Sequence, residues 1–152
     1  DAEETAQPAF ATIEDAARTL HVTVEPAPVR DAASIAALAA HKDGGFLVLP
    51  DFFTIANRAQ LLSAIAGARL PAVFWSRSFV DEGGLMSYST DSAEQLRRAA
   101  GYVDRILKGA QAADLPVQNP TTFELVVNLK CARAMGVTIP ASLLATAHDV
   151  IE

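Results

Sequence analysis

The 152-residue chain has little sulfur chemistry and no excess of positive charge. Cys131 is its only cysteine, which excludes an intramolecular disulfide and a multi-cysteine zinc site. Its 12 Lys and Arg residues stand against 18 Asp and Glu residues, so the net charge is −6. An acidic chain with scattered basic residues is a poor binder of polyanions. We therefore expect no nucleic-acid partner and no structural metal.

The sequence also lacks the short motifs of several enzyme classes. It contains no G-x-S-x-G elbow, no Walker A loop and no H-E-x-x-H pair. Gly44-Gly45 and Gly83-Gly84 do not have the spacing of a dinucleotide fingerprint. His21, His41 and His148 lie at or near predicted helix ends, where the helix dipole favours a solvated imidazole. We expect no catalysis and no cofactor.

Long apolar runs are absent, but apolar residues are abundant. No run approaches the roughly 18–20 residues of a transmembrane helix. Hydrophobic residues make up 51% of the chain and charged residues 20%, a composition that excludes intrinsic disorder. The length fits one compact domain, for which about 100–200 residues is usual.

Helical and strand patterns alternate through the first half. Apolar residues at helical spacing predict one helix ending at Leu20, a second capped by Asp31 and a third capped by Thr54. Short apolar runs predict strands at 22–24, 46–49 and 71–75, the second of them covered on both faces. This alternation is typical of parallel strands joined by helical crossovers. The expected fold is α/β, a layered parallel sheet flanked by helices.

The second half of the sequence predicts one long helix between shorter elements. The Gly83-Gly84 pair predicts a turn before an extended segment at 85–89. Asp91 and Glu94 form a capping-box pattern at the start of a helix that runs to Gly109. The residues expected on the buried face of this helix are Leu96, Ala100, Val103 and Leu107. The remaining predicted elements are a strand at 123–129, a short helix at 130–135 and a last helix from Pro140 onward.

The carboxyl ends of the predicted strands carry the best candidates for ligand binding. Ligands of open parallel sheets bind outside these ends, where loops converge. The chain supplies aromatic side chains, a carboxylate, a guanidinium and hydroxyls there, a mixture that suits a small zwitterion or an amphiphile. The candidate ligand-binding residues are Asp51, Phe52, Phe53, Trp75, Ser76, Arg77 and Tyr88. A structural alternative stays open, because the phenylalanines can cover sheet edges and Asp51 can cap a helix.

Several stretches are similar to one known family. The most specific are 83–88, 97–109, 113–117, 123–130 and 136–144, and 47–51 and 70–73 also fit. They resemble the substrate-binding proteins of ABC transporters, of the type that includes tryptophan- and tyrosine-binding members. Two positions depart from the pattern: Ser89 stands where many relatives have Gly, and Cys131 stands where Thr is common.

The resemblance implies a fold and a function. Members have two Rossmann-like lobes of the type I periplasmic-binding-protein fold, with a small-molecule solute held between them. They deliver the solute to a permease in the membrane, which places the protein in the periplasm. This chain would be the C-terminal half of such a protein, with residues 1–80 as the lobe core. Residues 81–152 would supply the hinge-crossing segment, a long helix that packs on the first lobe, and the last strand and helices. Such a fragment is expected to expose apolar surface and to dimerise or exchange a segment in a crystal.

Two other functions compete with a solute-binding one. Similar two-lobe folds serve as ligand-sensing domains of transcription regulators, and a helix-turn-helix elsewhere in the protein would identify that class. A flavodoxin-like or hydrolase-like enzyme domain is the second alternative. A bound flavin or metal, or turnover in an activity screen, would favour it.

Overall fold

The computed structural model describes residues 2–152, with side chains described from residue 10 onward. The helices are α1 Ala2–Leu20, α2 Ala32–Ala37, α3 Phe52–Ala56, α4 Arg58–Ala68, α5 Arg77–Asp81, α6 Ser92–Leu107, α7 Leu129–Met135 and α8 Ala141–Leu144. The strands are β1 Phe46–Val48, β2 Ala72–Phe74, β3 Met86–Thr90, β4 Phe123–Asn128 and β5 Asp149–Ile151. Within this described part, no helix is both long enough and apolar enough to cross a membrane.

The five strands form one sheet in the order β1-β2-β3-β4-β5. The pairs β1–β2, β2–β3 and β4–β5 are parallel. The crossover pattern of the first half of the sequence predicts the parallel pairing of β1 with β2. The β3–β4 pair is antiparallel, with Thr90 opposite Phe123. The chain leaves β3, runs along α6 and re-enters the sheet from the same end, which reverses the strand direction. The predicted α/β class is confirmed, with a mixed rather than wholly parallel sheet.

Two predicted elements differ from the structure because strand pairing depends on distant residues. The segment 22–24 forms no strand, since none of the described strands lies beside it to complete a hydrogen-bond ladder. Among the described strands β1 pairs only with β2, so it is an edge strand. Leu47 is 55% exposed, so only the face of β1 that carries Phe46 and Val48 is covered, and not both faces as predicted. The predicted last helix ends early at Leu144, and Asp149–Ile151 pairs with β4 as a strand. Its β-branched Val150 and Ile151 suit a pleated strand better than a helix.

A hydrophobic core cluster packs on one face of the sheet at β1 and β2. Ala72 and Phe74 of β2 project from this face, since residues two apart share a face of a strand. The helical residues that cover them are Ile35 and Leu38 with Leu61 and Ile65. Phe79 of α5 is fully buried and stacks on Phe74, with ring centroids 4.9 Å apart. Gly84 makes this packing possible, because a Cβ there would come within 2.8 Å of the Phe74 ring and of the Phe79 carbonyl oxygen.

The predicted start of α6 is confirmed, but its predicted burial is wrong. The Asp91 side chain accepts a hydrogen bond from the Glu94 N–H, while the Asp91 N–H donates to the Thr122 carbonyl instead of closing a capping box. None of the α6 residues is buried, and Leu96 is 71% exposed. Val103 and Leu107 extend the same apolar stripe along the helix. The stripe is the exposed apolar surface that the family resemblance leads us to expect.

Candidate functional site

The strand register brings the three predicted site segments to one edge of the sheet. Val48 of β1 is paired with Phe74 of β2, and Phe74 is paired with Ser87 of β3. The three strands are parallel, so the residues that follow these positions leave the sheet on the same side. We call this side the carboxyl edge and define it by residues 49–53, 75–77 and 88–90.

The Asp51 side chain caps α3. Its Oδ1 accepts hydrogen bonds from the Phe53 N–H at 2.8 Å and from the Thr54 N–H at 3.2 Å. Thr54, the predicted cap, lies inside the helix and donates its hydroxyl to the Asp51 carbonyl at 2.8 Å. In this structure the Asp51 carboxylate therefore caps a helix, which is the structural alternative to ligand binding.

Replacing Asp51 with alanine is expected to destabilise the fold by about 0.5–2 kcal/mol, because two backbone N–H groups lose their acceptor. Asp51→Asn should keep most of the stability, since an amide oxygen also caps a helix. Urea denaturation measures both changes, and Asp43→Ala, at an exposed position in a loop, is the control. Equal stability of Asp51→Ala and the unmodified chain would contradict a capping role.

The aromatic residues of the carboxyl edge differ in exposure. Phe52 is 90% exposed, whereas Phe53 is half-buried and packs against the core. Trp75 is also half-buried, with its ring edge-on to Phe79 at a centroid distance of 6.2 Å. Phe53 therefore acts mainly as a cover for the core, while Phe52 offers its ring to solvent.

Tyr88 is 58% exposed and forms a stack with a residue that the sequence did not single out. Its ring lies parallel to that of Phe123, with centroids 5.5 Å apart and an interplanar angle of 7°. Phe123 is the first residue of β4 and reaches Tyr88 only through the antiparallel β3–β4 register. No local signal in the sequence could have assigned Phe123 to this edge.

Ser76 and Arg77 begin α5. Ser76 Oγ caps the helix, accepting from the Ser78 N–H at 3.4 Å. The Arg77 guanidinium lies 2.6 Å from Asp149 Oδ2 and 3.3 Å from Asp81 Oδ1. The hydrogen bond between Arg77 and Asp149 raises the pKa of Arg77 and lowers the pKa of Asp149. The positive charge expected for ligand binding is thus already paired with two carboxylates of the chain.

Two buried polar atoms lie close to this edge, one on Trp75 directly after β2 and one on Ser87 of β3. In the described part of the chain, Trp75 Nε1 and Ser87 Oγ are the buried side-chain nitrogen and oxygen atoms that form no hydrogen bond. An uncompensated buried polar atom costs about 1–3 kcal/mol.

Other features of the described residues offer less for chemistry. No group of three or more His, Cys, Asp or Glu side chains in residues 10–152 could hold a metal ion. Burial raises the pKa of the Cys131 thiol, whose Sγ lies 3.4 Å from Met135 Sδ. A polar groove of about 200 Å³ lies between α6 and residues 118–122, but none of the seven predicted site residues lines it.

Comparison with protein families then identifies the chain. The family described as ABC transporter substrate binding protein matches residues 1–151. The chain belongs to this family. Its resemblance to these proteins, predicted from the sequence, is confirmed. A comparison with functionally curated proteins finds no match.

Three solved structures share the fold of this family member. A Streptococcus pneumoniae ABC domain in complex with L-Trp is 26% identical, with a TM-score of 0.83 over 96% of this chain and 52% of its own. A conserved domain protein from Vibrio cholerae is 22% identical, with a TM-score of 0.81 over 95% and 50%. The ligand-free, open structure of a substrate-binding protein with adhesive properties from Clostridium difficile is 14% identical, with a TM-score of 0.72 over 97% and 50%. The chain spans about half the length of each of these proteins.

Proposed function

We propose that the chain forms one side of a solute-binding cleft in a two-lobe protein of an ABC importer. The whole protein would bind a small molecule in the periplasm and deliver it unaltered to a membrane permease. Family membership and the periplasmic-binding-protein fold of the solved relatives support a solute-binding role. The open aromatic surface at the carboxyl edge is the observation on which the position of the site rests.

An aromatic amino acid is the ligand class that this surface favours. Phe52, which follows β1, and the stacked Tyr88 of β3 and Phe123 of β4 expose aromatic rings at the carboxyl edge. Rings placed in this way remove the apolar body of a ligand from water and can stack on an indole or phenol group. The Streptococcus pneumoniae relative binds L-Trp, in agreement with this class.

The division of the chain into two parts follows from the same proposal. Residues 1–80 would form the core of the C-terminal lobe, with β1 and β2 at the cleft. Residues 81–152 would cross the hinge through the antiparallel β3–β4 pair and add α6 to the other lobe. The exposed stripe of Leu96, Val103 and Leu107 supports this arrangement, because an apolar stripe of this length normally packs against another element.

Binding would work by closure of the two lobes rather than by chemistry. A solute that contacts both lobes in the closed form and only one in the open form shifts the equilibrium towards closure. The permease would then recognise the closed form. Each aromatic ring at the carboxyl edge contributes to this shift only as far as closure buries it against the solute.

Isothermal titration calorimetry with a panel of ligands tests the proposed function. We expect L-tryptophan, L-tyrosine or L-phenylalanine to bind more tightly than L-leucine and L-glutamate, and the bound amino acid to be recovered chemically unchanged. Binding of none of the aromatic amino acids would overturn the ligand class. Native mass spectrometry of the protein purified without added ligand would then show whether it retains another solute. A solute converted to a product on incubation would overturn the assignment as a binding protein.

A further inference from the structure

We propose that Arg77 and Asp149 form a positioning pair that holds Trp75 and Ser76, two of the candidate ligand-binding residues, in place. Arg77 then acts through the fold and does not contact the solute. The inference rests on the proposed function for its effect on binding, and on the geometry of α5 for its effect on Trp75.

The pair joins two elements that are far apart in the sequence. Arg77 is the first residue of α5, and Asp149 is the first residue of β5 at the other side of the sheet. Their side chains are about two-fifths exposed, and the guanidinium approaches the carboxylate to 2.6 Å. Asp81, one turn along α5, approaches the same guanidinium to 3.3 Å. Arg77 thus connects the start of α5 to the last strand.

Helix α5 is very short, so its position depends on its contacts with the rest of the fold. Five residues form barely one helical turn, and isolated helices of this length are unstable in water. At the C-terminal end of α5, Arg58 of α4 forms a bidentate ion pair with Glu82, the C-cap residue of the helix. Buried Phe79 and Val80 anchor the middle of α5 in the core. Ion pairs connect its two ends to other elements, and the Arg77–Asp149 pair lies at the end that carries Ser76.

The position of Trp75 depends on α5 through two contacts. Its ring lies edge-on to Phe79 of this helix, and its backbone leads directly into the Ser76 cap. A shift of the first turn of α5 would move the Ser76 hydroxyl and the neighbouring indole together. Loss of Asp149 is expected to allow this shift, since Asp81 alone ties Arg77 only to its own helix.

A direct contact between Arg77 and the ligand would change the effect of an Asp149 substitution on affinity. If Arg77 bound the carboxylate of an amino acid, Asp149 would compete with the ligand for the guanidinium. Removing the Asp149 charge would then strengthen binding. If Arg77 and Asp149 position Trp75 and Ser76, the same change weakens binding, so the sign of the effect separates the two roles.

Fluorescence of Trp75 tests the inference without any ligand, because Trp75 is the only tryptophan in the chain. We expect Asp149→Asn to shift its emission and to increase its quenching by acrylamide, and Asp149→Glu to restore part of the original signal. Asp104→Asn removes a carboxylate from a comparable surface ion pair on α6 and should leave both signals unchanged. Circular dichroism verifies that the variants are folded. An unchanged Trp75 signal in folded Asp149→Asn would overturn the inference.

Calorimetry with L-tryptophan provides the second readout. Asp149→Asn should weaken binding about twofold to fivefold, the range expected for a half-exposed ion pair, and Asp104→Asn should not. Equal or tighter binding by Asp149→Asn would overturn positioning, and tighter binding would in addition assign Arg77 to the ligand. If the unmodified protein does not bind L-tryptophan, the calorimetry uses L-tyrosine or L-phenylalanine instead. If it binds none of the three, the proposed ligand class fails, and the fluorescence result still decides whether the pair positions Trp75.

Discussion

Phe79→Ala is expected to lower the free energy of unfolding by about 3–5 kcal/mol, the range for removing a buried aromatic side chain. Phe79 is fully buried, and its ring contacts Phe74 and Trp75, while the Arg58 guanidinium lies 5.7 Å from the ring centroid. Truncation leaves a cavity between α5 and the sheet, because neighbouring side chains fill only part of the lost volume. Urea or thermal denaturation measures the loss.

Phe52→Ala is the matched control for this prediction. The same side chain is removed, but from a position that is 90% exposed, so the change in stability should stay within about 0.5 kcal/mol. A similar stability loss in both variants would contradict the placement of Phe79 in the core. Phe79→Leu, which fills most of the cavity, serves as a milder variant if Phe79→Ala does not fold.

Truncating an exposed aromatic ring at the carboxyl edge is expected to weaken L-tryptophan binding at least about fivefold, the smallest effect expected of a binding anchor. Phe52→Ala and Tyr88→Ala are the two changes to make. Tyr88 lies on β3 with its ring stacked on Phe123, so its loss also removes the support of the second ring. Titration calorimetry gives the affinity of each variant.

Tyr88→Phe and Phe52→Tyr are the conservative controls, since each keeps an aromatic ring at its position. Both should bind within about twofold of the unmodified protein, and denaturation should show that all four variants are folded. Unchanged affinity in both alanine variants would move the ligand away from these rings. A loss of affinity in Tyr88→Phe alone would indicate that the hydroxyl, and not the ring, contacts the solute.

Local patterns predicted most of the elements of this fold. Asp31 accepts a hydrogen bond from the Ser34 N–H at the start of α2, as a capping residue should. Phe46–Val48 and Ala72–Phe74 are strands, and Gly136 ends α7 with a φ of 72°. These features depend on neighbours in the sequence, so the sequence reveals them. The α/β class follows from their order along the chain.

Pairing over long distances decided the features that sequence patterns could not predict. The segment 22–24 has strand propensity but no adjacent strand, and Asp149–Ile151 is a strand only because β4 lies beside it. The sequence could predict that the three site segments lie together at the carboxyl edge, since parallel strands end on one side of a sheet. The sequence could not predict that Phe123 stacks on Tyr88 or that Arg77 pairs with Asp149. These contacts depend on the β3–β4 and β4–β5 registers.

Hydrogen–deuterium exchange of the protein with and without saturating L-tryptophan measures directly whether the carboxyl edge holds the solute. We expect slower exchange in residues 49–53, 75–77 and 88–90 when the ligand is bound, with little change in α4 and α7. Protection confined to the polar groove between α6 and residues 118–122, or no protection at saturation, would contradict a binding site at this edge.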